Sequence, residues 1–171
     1  MPFVAGQKLR ASELNDAVPI YSVVSADITV TSSTTLVNAT GLALALAADG
    51  LYAWDAYLAY SASETGDLKV AMLASATSSG HWGIYGGATS SSGAIGDLNA
   101  GRATAYGAGQ ALTAGGSNTP SAPGPMAAIP HGYLDVGATA GTLQLQFAQN
   151  TSTGTSTIVR EGSWIRAWKI G

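Results

Sequence analysis

The chain has 171 residues, enough for one domain with a substantial core and an appended arm. Only 10% of them are charged, against about 25% in a typical soluble domain, and a net charge of −3 leaves no basic patch for nucleic-acid phosphates. The absence of cysteine excludes disulfides and thiolate metal sites, and the longest apolar run, around 42–48, is far short of the roughly 20 residues that span a bilayer.

Residues 1–20 stand apart from the rest as an arm. A short helix is expected over 11–18, with Ser12 as its N-cap and Pro19 ending it. Two turns of helix are not stable alone, so the arm must pack on its own domain or dock on a neighbour, with Leu9, Leu14 and Asn15 as the anchoring residues. Residues 1–10 lack the basic region and apolar core of an export signal, so the expectation is a protein made and assembled in a cytoplasm.

From Tyr21 the hydrophobic period becomes two. Strands are expected at 21–24, 28–31 and 42–46, followed by a turn that ends at Gly50. The longest strand comes next, with Tyr52, Trp54, Leu58 and Tyr60 on one face and Leu51, Asp55 and Tyr57 on the other. Large residues on both faces imply a central strand, one face in the core and the other covered by a partner. A hairpin turn at 64–67 leads to a strand at 68–75, and a short strand follows at 81–85.

The stretch 86–128 is dominated by Gly, Ala, Ser and Thr and reads as an insertion in the domain 21–171. A loop of this length rarely orders itself within a monomer, so neighbouring subunits are expected to hold it. The competing account is a short strand at 102–106 with local packing of the remainder. Strands resume at 131–136, then at Leu143, Leu145 and Phe147 alternating with Gln144 and Gln146. After a polar loop at 149–155, strands at 157–160 and 164–170 close the domain, with Trp164, Trp168 and Ile170 on one face and Ile165 on the other. Eight to ten antiparallel strands with one short helix predict an all-β jelly-roll sandwich.

Chemistry-bearing residues are sparse. His81 and His131 each open a strand without metal-ligand spacing, so a site with Asp55 or Asp135 is outweighed by edge and capping roles. The acids Asp27, Asp49, Glu64, Asp67, Asp97, Asp135 and Glu161 fall mostly in turns, where backbone geometry accounts for them. Asp55, in an aromatic strand, is read as an interface residue paired with Arg166 or Arg160. Glycines near Gly83 precede no helix and form no phosphate loop. No catalytic residue, metal or cofactor is therefore expected. A chain this poor in charge is most easily soluble if partners cover its surface; a secreted or desiccation-tolerant protein with a Ser/Thr-rich exterior is the alternative. Tyr52, Trp54, Tyr57, Trp164 and Trp168 are the candidate oligomer-interface residues, and Trp82 and Tyr85, beside Gly-rich turns, are the candidate ligand contacts.

Two stretches carry a resemblance. Gly6, Leu9, Ala11, Leu14 and Asn15 form a Gly-x-x-Leu-x-Ala-x-x-Leu-Asn element that resembles the start of many bacteriophage tail and particle-surface proteins. The segments 31–37, 67–69, 80–83, 141–150 and 162–167 are similar to small minor structural proteins of actinobacteria-infecting phages. The order of a Gly-x-Tyr strand, a hairpin and a late Gly-Ser-Trp-Ile strand is also similar to the trimeric jelly-rolls of the complement and tumour-necrosis-factor group. The resemblance implies a non-enzymatic virion protein, a homotrimer whose partners are itself and the major capsid or tail protein, with neither nucleic acid nor membrane bound. Capsid decoration through the arm is the leading expectation. A minor tail or tail-fibre protein that binds a host-surface glycan is the alternative, and a glycan hydrolase with a carboxylate pair is the third class.

Overall fold

The computed structural model describes residues 18–75, 77–87, 98–116 and 126–171, together with Lys8. Twelve strands are present among them: β1 Ile20–Val23, β2 Ile28–Val30, β3 Val37–Leu46, β4 Leu51–Ser61, β5 Leu68–Leu73, β6 Ser79–Gly87, β7 Leu98–Ala103, β8 Leu112–Ala114, β9 Met126–Asp135, β10 Gly141–Gln149, β11 Thr157–Val159 and β12 Trp164–Lys169. The anchoring residues Leu9, Leu14 and Asn15 and nearly all of the expected helix lie outside the described residues; Val18 sits in a bend just before β1.

Two antiparallel sheets result. The larger runs β1-β12-β4-β9-β6-β7, with β11 pairing both β2 and β4, and the smaller runs β3-β10-β5-β8. The pairings β1–β12, β3–β10, β4–β9 and β5–β8 nest inside one another, as when one long hairpin is rolled into a two-layer sandwich. That nesting is the jelly-roll topology. The hairpin β6–β7 interrupts it between β5 and β8 and extends the larger sheet beyond β9.

The first and last framework strands are each broken in two. Val23 faces Trp164 and Ile28 faces Val159, so the register crosses the break unchanged. Asp27 fastens it, accepting from Arg160 Nη1 at 2.8 Å and from the Glu161 backbone N–H at 2.9 Å. Those two bonds, the backbone one first, hold its carboxyl below the usual carboxylate range.

Alternation decides what is buried. From the smaller sheet, Leu42, Leu44, Leu68, Val70, Met72, Leu143, Leu145 and Phe147 face inward; from the larger come Trp54, Leu58, Tyr60, Trp82, Ile84, Leu134 and Ile165. Burying each such side chain contributes about 1.5–3 kcal/mol against its loss of freedom. β3 bulges opposite Gln144, whose amide donates to the Ala39 and Leu42 carbonyls, each at 3.2 Å, and so satisfies groups that the ladder leaves unpaired. Gln149, fully buried, accepts from the Ser33 and Thr153 N–H groups and donates to Thr155 O, closing the polar loop after β10.

The expectation that neighbours hold the Gly-rich stretch is corrected over its described part. β7, a 3-10 turn at Ala108–Gln110 and β8 pack on the chain itself. Tyr106 accepts from Trp54 Nε1 at 2.7 Å and donates to Tyr133 O at 2.8 Å, and Tyr60 donates to Gly115 O at 2.6 Å. Small residues here permit contact rather than motion: a Cβ on Gly116 would lie 1.9 Å from Ser63 O. The competing account of local packing with a short strand is closer, although the strand ends at Ala103 and Tyr106 is a plug.

Candidate functional site

The two outer faces of the sandwich differ sharply in chemistry. The smaller sheet presents Ala43, Ala45, Lys69, Gln144 and Gln146, which are small or polar. The larger presents rings. Among the described residues ten large hydrophobic side chains are exposed, and six of them, Tyr21, Val23, Tyr57, Tyr85, Ile129 and Tyr133, point outward from this one sheet. Exposed apolar residues scattered singly need no explanation, but a contiguous face does.

One half of the face spans β1, β12 and β4. Trp164, Arg166 and Trp168 alternate along β12, and the Arg166 guanidinium lies 4.8 Å from the Trp164 ring and 4.7 Å from that of Trp168. Asp55 stands directly opposite on β4 and takes a bidentate pair from Arg166, Nε to Oδ1 at 2.8 Å and Nη2 to Oδ2 at 3.1 Å. The hydrogen bond to Asp55 raises the guanidinium's already high pKa. Tyr57 stacks on Trp164 with ring centroids 6.4 Å apart. The predicted Asp55 pairing is therefore with Arg166, while Arg160 belongs to Asp27.

The five proposed interface residues divide between the two faces of β4 and its neighbour. Tyr57, Trp164 and Trp168 point outward, but Tyr52 and Trp54 are 6% and 2% exposed and belong to the chain's own core. No partner can reach them, because positions of even number along β4 face the smaller sheet.

The other half spans β9, β6 and β7 and contains a depression of ≈ 580 Å³. Its floor is backbone and glycine: Gly83 of β6 lies between Arg102 of β7 and His131 of β9 in register, and Gly132 lies between Trp54 and Trp82. A Cβ on Gly132 would meet His81 O at 2.6 Å, so the strands approach closely beneath the floor. Two ring pairs rise beside it. Tyr85 stacks on His131 with centroids 4.9 Å apart and planes at 12°, and His81 meets Tyr133 edge-on at 4.8 Å. His131 Nδ1 lies 3.2 Å from Ile129 O and donates to it, which leaves Nε2 as an acceptor beside Gly83.

Of the two expected ligand contacts, Tyr85 is 52% exposed at this depression, whereas Trp82 is buried under it with Nε1 donating to Ala105 O at 3.2 Å. Alternation with His81 and Gly83 turns Trp82 inward despite its glycine neighbours. Sequence reasoning missed Tyr133 and Arg102, because the 131–136 run gave no face assignment and Arg102 fell within the presumed loop. Among the described residues no three His, Asp or Glu side chains converge, and no helix is long and apolar enough to cross a membrane.

No family model matches the chain, and no curated protein matches it. Among solved structures it is similar to a chain from the structure of infectious bursal disease virus Gx strain, at 14% identity and a TM-score of 0.21. The match covers 88% of this chain and 40% of that one, so this chain spans less than half the length of its neighbour. A likeness of that strength carries no weight beside the geometry, which identifies the chain as a jelly-roll sandwich with one aromatic outer face.

Proposed function

We propose that this protein is a non-enzymatic structural component of a bacteriophage virion, a homotrimeric capsid-decoration protein attached through the arm that precedes β1. The observation that carries the assembly part of the reading is the aromatic half-face of β1, β12 and β4. Tyr57, Trp164 and Trp168 supply large rigid area, and the Arg166–Asp55 pair neutralises its own charge within that area. This combination is the chemistry of an interface centre, where isolated charges are depleted and aromatic residues and Arg are enriched. The virion assignment rests on the N-terminal element and the segment likenesses in the sequence.

Light scattering on the purified chain tests the assembly. The expected mass is three times the 17.1 kDa of one chain. Replacing Trp164 and Trp168 together by Ser should dissociate the trimer while leaving the core intact, since neither side chain is in it. A wild-type monomer at micromolar concentration refutes the reading. For the arm, deletion of residues 1–17 spares β1 and should abolish incorporation into particles; normal incorporation refutes its anchoring role.

A further inference from the structure

We infer that the glycine-floored depression on the β9–β6–β7 half of the aromatic face is a binding site for a carboxylate-bearing saccharide. The inference is independent of the virion reading. It begins with charge: Arg160 and Arg166 are each paired with a carboxylate, whereas Arg102, exposed at the edge of the depression, has no ion-pair partner among the described residues. A guanidinium with no carboxylate partner among the described residues, beside a concave surface, suits a planar carboxylate, which it can hold through two parallel hydrogen bonds.

The remaining walls fit the rest of a sugar. Tyr85, 52% exposed, offers apolar ring surface of the kind that packs on the C–H face of a pyranose. His131 Nε2, free because Nδ1 donates to Ile129 O, is an acceptor for a ring hydroxyl. The floor is open because Gly83 carries no side chain: its absent Cβ would lie 3.7 Å from that same nitrogen. A mixed lining of rings around a few convergent polar groups is the usual make-up of a small-ligand site. The depression lies on different strands from the Trp164–Trp168 cluster, with β4 between them, so an assembly through that cluster leaves it a separate surface.

A glycan array carrying uronic- and sialic-acid-terminated oligosaccharides beside their neutral counterparts tests the site on the full chain. At least one acidic saccharide should bind, and its neutral counterpart at least tenfold more weakly. Arg102→Gln should reduce the acidic ligand to the neutral level, and Tyr85→Ala should weaken both. Ala100→Leu, at an exposed position on the depression's wall, should block binding without removing any recognition group. All three positions are at the surface, and unchanged circular dichroism verifies the fold. Absence of binding to every acidic saccharide, equal binding of neutral counterparts, binding that survives Ala100→Leu, or complete displacement by inorganic phosphate at equal concentration would each overturn the site.

Discussion

Removing one oxygen from Tyr106 tests whether the described part of the Gly-rich stretch is held by the chain itself. In Tyr106→Phe the ring still packs near Trp54, whose centroid is 6.3 Å away, so the change is confined to hydrogen bonding. Trp54 is 2% exposed and its Nε1–H has the Tyr106 oxygen as partner at 2.7 Å. Stranding that donor costs about 1–3 kcal/mol. The bond from the hydroxyl to Tyr133 O, nearer solvent, adds roughly 0.5–1.5 kcal/mol. The sum, roughly 1.5–4.5 kcal/mol, corresponds to a midpoint lowered by about 3–18 °C in a domain of this size. Urea and thermal unfolding followed by tryptophan fluorescence, at two protein concentrations tenfold apart, read the effect. The shift should be independent of concentration. In a cycle with Trp54→Phe the double variant should lose less than the two single losses added together, since one bond is shared. A variant within 0.5 kcal/mol of wild type, or a loss that appears only as weakened association, refutes the argument and returns the segment to its neighbours.

Other perturbations have equally definite outcomes. Burial holds the Asp67 carboxyl above the usual range, opposed by the Gly116 N–H at 2.8 Å and reinforced by Glu64. The folded chain thus keeps this proton to higher pH than the unfolded chain does. Its contribution to stability is complete below about pH 4 and lost as pH rises through the folded value. Asp67→Asn keeps an acceptor for Gly116 and tolerates the backbone φ of 48°, so it should gain stability relative to wild type as pH rises from 4 to 7; a relative loss over that span in pH-dependent denaturation contradicts the burial argument. Gln149→Leu strands the Ser33 and Thr153 N–H groups and should cost roughly 2–4 kcal/mol in urea denaturation, whereas a change below 1 kcal/mol means that water replaces the amide. Gly41 has φ 88° and lies where a Cβ would be 2.7 Å from Val23 O, so Gly41→Ala should push β1 outward and speed hydrogen exchange at residues 20–23; unchanged exchange would show that the edge yields freely.

Alternation made the framework legible. The inner rows Leu42–Leu44–Leu46 and Leu143–Leu145–Phe147 and the central place of β4 follow from a period of two, and the structure keeps each. Period alone separates two faces without saying which is inside. Tyr52 and Trp54 were therefore grouped with Tyr57, although one residue's shift in parity sends them to opposite sides. Trp82 was misplaced by its glycine neighbours, which signal a turn in composition but here allow strands and rings to approach. The same ambiguity hid β7 and β8. Besides the small Ala103 and Ala114, that segment packs on the core through Tyr106 and Leu112, and two large residues in a long run of small ones are a faint periodic signal. The depression was legible only in part, because its three strands are joined by register between distant segments, which a single chain's pattern does not encode.

The nested pairing has a consequence in time. β1 completes its ladder only with β12, and Ile20 meets Ala167. The large sheet therefore cannot close during synthesis until nearly the whole domain has left the ribosome, and such distant pairing is intrinsically slow. Until then Arg166 and Trp164 of β12 are not yet there to pair with Asp55 and to stack on Tyr57, and the aromatic half-face is incomplete. The aromatic half-face is thus completed only by β12, the last strand of this domain to be made, and under the proposed assembly nascent chains would lack a finished surface through which to associate early.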